Sequence, residues 1–229
     1  ILGIVRESIE SRKDIALLAT ARDEGIYLLE WIAHHRAIGI KDFFIYTNDN
    51  TDGSDGLLKI LSENGEITWI NNTGSSAPGI NMQFKAYNHA LTTLPEILDY
   101  RWCAIVDIDE AILPSEDSRN SIVPIISARN DQGVDCFSMN WRMYYPNNHL
   151  TWSNGLSAER FIEGEKHPLV KSIFKTSLFN YSYAHHPECS YSGRTYATVD
   201  GNLYPKNHIT DEDLNFTQAP TEWAHVCHY

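Results

Sequence analysis

From residue 14 onward the chain switches repeatedly between two hydrophobic periods. An unbroken apolar run fills "DIALLATAR" (14–22). Apolar residues then recur at Tyr27, Leu28, Trp31, Ile32 and Ile38 within "GIYLLEWIAHHRAIG", and a second run follows in "KDFFIYTNDN". The runs predict strands, and the spaced positions predict a helix closed by Gly39. The alternation continues with a short helix in "DGLLKILSENG" ending at Gly65 and a third strand in "EITWIN". A helix in "INMQFKAYNHALTTL" is stopped by Pro95, and "RWCAIVDIDEAIL" reads as a fourth strand. Strands and helices in turn over 14–113 predict right-handed crossovers and an α/β fold with a mostly parallel central sheet. Past residue 120, "GVDCFSMNWRMY", "LVKSIFKT" and "RTYATVD" read as further strands between loops rich in Asn, His, Tyr and Gly. The expectation is one domain over 1–229, with a ligand-binding half at 14–113 and an elaborated half at 114–229.

In sheets of this kind ligands bind beyond the carboxyl ends of the strands. That rule puts Thr20, Arg22, Glu24, the 48–56 loop and Asp107 with Asp109 along one edge. Two carboxylates at i and i+2 of a strand end can reach one hard divalent cation, Mg2+ or Mn2+; the plain alternative is a solvated strand terminus. The loop "NDNTDGSDG" has Asn48, Asn50, Asp52 and Gly53 at the opening positions of an EF-hand, but Lys59 stands where the bidentate Glu belongs, so calcium is not expected. Its polar groups either cap the next helix or hold part of a ligand. Gln83, Tyr87 and Asn88 share a helix face; Gln83 suits a ligand better than a core, whereas Tyr87 suits either. Lys171 fits a phosphate contact or a strand-edge charge.

A net charge of −12 leaves no basic footprint for nucleic acid. No apolar run approaches the roughly 20 residues of a membrane span. Cys103, Cys136, Cys189 and Cys227 are scattered without a C-x-x-C pair, against a structural zinc site, and Cys103 and Cys136 read as core residues. A start at Ile1 rather than Met is expected of a fragment.

The stretch "TARDEGIYLLEWIAHHRAIGIKDFFIYTNDNTDGS" resembles the family-2-like and family 92 glycosyltransferases. There a charged residue and a Glu precede an "LLEW-x-x-HH" helix, a strand and an Asn/Asp-rich turn. "QFKAYNHAL", "RWCAIVDIDEAILP", "NWRMY", "LVKSIFK", "AHHPE" and "HVCHY" follow in the order of that group, with Trp141-Arg-Met-Tyr-Tyr145 where its pattern has Trp-x-x-Phe-Gly. The resemblance implies a GT-A, Rossmann-like fold with helices on both faces of the sheet. It implies a metal-dependent sugar transfer from a nucleotide sugar, UDP-linked by preference, to a glycan or other hydroxyl acceptor, with inversion. Asp107 and Asp109 would hold Mn2+ or Mg2+, completed by His228. Thr20, Arg22, Glu24, Asn48, Asn50, Gln83, Asp107 and Lys171 would meet the donor.

Inversion needs a base for the acceptor hydroxyl. "AHHPECSYSG" offers His185 and Glu188 in a loop fixed by Pro187, with Asp211 in reserve, although "TDEDL" also reads as a helix N-cap. The alternatives are a non-catalytic nucleotide-sugar or glycan-binding module and a D-x-D phosphotransferase or phosphatase. The scattered cysteines fit a bacterial cytoplasmic enzyme, peripheral to a membrane or not, better than a Golgi one; a Golgi lumen is expected only if the chain is a eukaryotic fragment. The sequons at Asn71, Asn180 and Asn215 would matter only there.

Overall fold

The computed structural model describes residues 2–74, 79, 81–146, 151, 153–188, 193–204 and 223–229. The first half contains α1 (Leu2–Glu7), β1 (Lys13–Ala21), α2 (Gly25–Ala37), β2 (Asp42–Thr47), α3 (Ser54–Glu63), β3 (Thr68–Asn71), α4 (Met82–Thr93), β4 (Tyr100–Ile105) and β5 (Glu110–Pro114). The second contains α5 (Val123–Asp131), β6 (Cys136–Tyr144), α6 (Ser157–Arg160), β7 (Gly164–Lys175), β8 (Tyr181–Ser182), β9 (Pro187–Glu188), β10 (Tyr196–Thr198) and β11 (Ala224–His228).

The continuous apolar run of β1 is explained by its position between β2 and β4, buried on both faces. Ile15, Leu17 and Ala19 face one core with Leu28, Trp31 and Ile32 of α2, Leu58 of α3 and Ile125 of α5. Ala16 and Leu18 face a second core with Ala86, Tyr87, Ala90 and Leu91 of α4. Helices therefore cover both faces, as expected of the GT-A, Rossmann-like class. Gly39 ends α2 at φ +108°, a conformation side chains resist, and Pro95 opens the 3-10 turn that follows α4.

Among the described residues one sheet of nine strands runs in the order β3-β2-β1-β4-β7-β6-β11-β5, with β10 also on β6. β3, β2, β1 and β4 are parallel neighbours. β7 runs antiparallel between β4 and β6, and β11 lies parallel to β6 and antiparallel to β5. The carboxyl ends of β1, β2, β4, β6 and β11 and the start of β5 therefore share one edge.

The expected strand at 101–113 divides in two. β4 stops at Ile105, Glu110 N–H closes a turn onto the Asp107 carbonyl at 3.1 Å, and β5 begins on the far side of the sheet. Four strand spacings of about 4.8 Å would set β4 and β5 roughly 19 Å apart if the sheet were flat. The five-residue step from Ile105 to Glu110 reaches at most roughly 18 Å even when fully extended. The sheet must curl, and the Asp107–Asp109 turn straps its middle to its edge.

β5, at that edge, is held by two adjacent histidines of α2. His34 Nε2 donates to the Ile112 carbonyl at 2.7 Å, and His35 Nε2 accepts from the Ile112 N–H at 3.3 Å. His35 Nδ1 donates to the Trp31 carbonyl, which fixes its tautomer. The pair satisfies backbone groups that an edge strand would otherwise leave open.

Candidate functional site

A cleft of about 480 Å³ opens at the shared edge, lined by Thr20, Ala21, Arg22, Glu24, Asn48, Asn81, Met82, Gln83, Asp107 and Asp109. Two polar loops form its outer rim and brace each other. Asp23 Oδ1 accepts from Thr51 N–H at 2.5 Å, Asn50 Oδ1 from Asp23 N–H at 3.0 Å, and Asp52 Oδ2 from Gly25 N–H at 2.9 Å. Asn50 also donates to Asp55 at 2.8 Å, so its amide is spent on the brace and does not line the cleft. Asp52 holds Ser54 N–H at 3.0 Å and Ser54 Oγ at 2.6 Å at the start of α3. Of the 48–56 loop, Asn48 alone lines the cleft.

The Asp107 carboxylate is locked on both oxygens. Oδ1 accepts from Gln83 Nε2 at 2.9 Å and Tyr87 Oη at 3.2 Å, and Oδ2 accepts from Lys171 Nζ at 2.6 Å. Its carbonyl accepts from Trp31 Nε1 at 2.9 Å, and its N–H donates to Glu110 Oε2 at 2.9 Å. Lys171, expected as a phosphate contact or an edge charge, is instead completely buried, and also meets Glu110 Oε2 at 3.1 Å. It is absent from the cleft wall because its ammonium is drawn inward by these two carboxylates. Burial works against the Lys171 charge, but Glu110 and Asp107 outweigh it and hold its pKa above the ordinary value. Glu110 also lies above its ordinary value, because burial outweighs the single ammonium it shares with Asp107. Asn88, on the same helix, bonds the Phe84 carbonyl.

Asp109 points the other way, to the open side, its side chain 47% exposed, and Oδ2 lies 3.3 Å from His228 Nε2. β11 makes this meeting possible: Cys227 pairs with Ala111 and His228 with Glu110, while Tyr229 N–H donates to the Asp109 carbonyl at 3.1 Å. Burial alone would raise Asp109; the bond to His228 reverses this and leaves it below the usual carboxylate range. The same bond raises His228. Burial, and then the Asp109 charge, push Glu24 up to about 7. Glu24, Asp107 and Asp109 all line this cleft, and the repulsion that helps raise Glu24 is one that a cation would relieve.

No group of three or more His, Cys, Asp or Glu side chains forms a ready metal cage among the described residues. What the edge offers is an open site: one exposed carboxylate and one imidazole, with Asp107 behind them. Such a donor set fits a hard divalent ion that takes its remaining ligands from phosphate and water.

Of the residues considered for proton removal, His185 donates from Nδ1 to the Val170 carbonyl at 3.0 Å. Its ring meets Trp141 at 5.4 Å, and the same indole meets His228 at 4.4 Å; His185 is not among the residues that line the cleft. Glu188 sits in β9 with Oε1 3.8 Å from His186 Nε2, and is not among the residues that line the cleft. Asp211 lies outside the described residues. Sequence reasoning missed Asn81, Met82 and Glu110. Asn81 accepts from Gln83 N–H at 2.8 Å as the N-cap of α4, a signal readable as Asn two before Gln83. Glu110 directly follows the D-x-D element and carries no separate signal.

The sequence model described as Glycosyltransferase family 92 matches residues 21–225. A family 92 protein of Ricinus communis is 24% identical over 101 residues, 44% of this chain and 17% of that protein. One of Oryza sativa subsp. japonica is 29% identical over 89 residues, 39% of this chain and 14% of that protein. Those matches therefore span less than a fifth of the relatives' length. Among solved structures, S. aureus TarS superposes with a TM-score of 0.41 at 13% identity over 72% of this chain and 28% of TarS. A TarS fragment in complex with UDP gives 0.41 at 12% identity over 72% and 47%.

Proposed function

The chain belongs to glycosyltransferase family 92, and we propose that its cleft binds a nucleotide-sugar donor, UDP-linked by preference, for inverting transfer to a glycan hydroxyl. The observation that carries this is the meeting of Asp109 with His228 at the mouth of a 480 Å³ polar cleft, 119 residues apart in sequence. Nucleotide-sized volume, carboxylates and an imidazole at the carboxyl ends of the strands all support it.

Asp109 and His228 would hold Mn2+ or Mg2+, which when bound neutralises charge on the departing diphosphate. Thr20, Asn48 and Gln83 would supply polar groups for base and ribose. Arg22 is the one cationic side chain among the residues that line the cleft, and would pair with phosphate. His185, whose ring packs on Trp141 beside His228, is the preferred base and would take the acceptor hydroxyl proton as that oxygen attacks the anomeric carbon. Glu188 stands second, and Asp211 in reserve.

Thermal unfolding with a panel of nucleotide sugars, with and without Mn2+, tests the reading. A ligand at 100 times its Kd should add about 2.7 kcal/mol. Stabilisation by one donor that requires Mn2+ and is lost in Asp109→Asn is expected. A folded protein that answers none of the panel would instead favour glycan binding or phosphoryl chemistry.

A further inference from the structure

Lys171 and Glu110 are among the most deeply buried charged residues of the molecule, at 0% and 1% exposure, and both attach to Asp107. A buried ion pair contributes little net stability compared with apolar residues of the same size, so its effect on its neighbours matters more. Here the effect is specific. Glu110 Oε2 receives both the Asp107 N–H and the Lys171 ammonium, which holds Nζ against Asp107 Oδ2. With Gln83 and Tyr87 on Oδ1, both carboxylate oxygens of Asp107 already hold protein donors, while its side chain still borders the cleft at 28% exposure. Asp109, two residues on, faces the cleft.

We propose that Lys171 is a positioning residue that withdraws Asp107 from direct coordination and leaves a divalent cation to Asp109 and His228. The inference rests on the donor-site reading above. Its chemical sense lies in charge. A divalent ion bound by two carboxylates is neutralised before the donor arrives. Bound by one carboxylate and a neutral imidazole, it keeps net positive charge for the diphosphate. The lysine thus trades affinity for the free ion against its strength as a Lewis acid.

The test is a titration of Mn2+ alone, followed by electron paramagnetic resonance of the free ion, across related forms of the full chain. Lys171→Met with Glu110→Gln removes one buried cation and one buried anion together, so the buried net charge is unchanged. That paired variant is expected to bind Mn2+ about tenfold more tightly than the parent, and Asp107→Asn added to it should cancel the gain. In the parent, Asp107→Asn alone should shift Mn2+ affinity by less than about twofold, whereas Asp109→Asn should abolish binding. A role confined to supporting the fold would not tighten the ion.

The inference is overturned if the folded paired variant binds Mn2+ equally or more weakly. It is also overturned if Asp107→Asn weakens the parent as much as Asp109→Asn does. Should the paired variant fail to fold by circular dichroism, the comparison of the two single aspartate variants decides alone. A parent that binds nucleotide sugar without Mn2+, and does not bind Mn2+ itself, overturns the inference while sparing the cleft. A parent that binds neither overturns the donor-site reading as well.

Discussion

His35 provides an acid-sensitive bolt between α2 and β5, and the size of its effect follows from its surroundings. The imidazole is completely buried, donates from Nδ1 to Trp31 O, and accepts at Nε2 from Ile112 N–H. Burial first, and then the neighbouring His34, push its pKa from 6.5 down to about 3, against the pull of the Trp31 carbonyl. Protonation would also turn Nε2 from an acceptor into a donor facing another N–H. A depressed histidine binds its proton less readily when folded than when unfolded. Its stabilising contribution is therefore whole above pH 6.5 and is withdrawn as the pH falls from there towards 3. Linkage over that window gives a loss of about 2 kcal/mol between pH 8 and pH 5. Urea unfolding of the parent and of His35→Gln, at intervals from pH 8 to pH 5, measures it. Glutamine keeps a donor and an acceptor but cannot titrate, and carboxylate contributions shared by both proteins cancel in the difference. The gap between the two stabilities should narrow by about 2 kcal/mol on acidification. A gap that stays constant within about 0.5 kcal/mol would refute the neutral, buried assignment of His35.

Glu24 has the opposite sign. A carboxyl raised to about 7 binds protons more tightly when folded, so its contribution is fully favourable below pH 4.5 and is lost as the pH rises through 7. Glu24→Gln should therefore stabilise the metal-free protein at pH 8 by roughly 1 kcal/mol, read by urea titration, while weakening donor-dependent stabilisation. Arg6 of α1 donates to the carbonyls of Leu91, Thr176 and Phe179, joining the end of α4 to the segment after β7. Arg6→Ala should cost about 1–3 kcal/mol by leaving those carbonyls unmatched, and an unchanged unfolding midpoint would exclude that fastening. At Gly39, φ is +108° and an added Cβ would meet Val123 Cγ2 at 2.9 Å, so Gly39→Ala should lower stability by about 1–3 kcal/mol in the same assay.

The first half of the fold was legible because its periods are clean. The runs at 14–22 and 41–50 and the spaced apolar positions of α2 matched β1, β2 and α2 within a few residues. The break inside "RWCAIVDIDEAIL" was not. Apolar residues continue across it because Ile108 and Ile112 both join the α2 side of the core, so hydrophobicity does not mark the turn. β11 was hidden for a different reason: five residues carry no period, and the pairing that makes them a strand comes from β5 and β6, far away in sequence. At the site, Thr20, Arg22, Glu24, Asn48, Gln83, Asp107 and Asp109 came together because strand ends fix where a ligand sits. Asn50 and Lys171 are drawn elsewhere by side-chain partners, Asp55 for one and Glu110 for the other, that no spacing rule identifies.

The insertion of β11 between β6 and β5 also sets an order of assembly. β5 has left the ribosome, or been released from denaturant, long before its ladder partner exists, and the Asp109–His228 contact closes a span of 119 residues. Closing so long a loop costs roughly 4 kcal/mol in chain entropy, which is recovered only when β5, β11 and β6 dock together. The β3-β2-β1-β4 unit, whose contacts are shorter in sequence, can form ahead of that step. The mouth of the cleft would then be completed late and all at once, as β11 seals the edge, and a nascent chain would hold a folded half without a finished site.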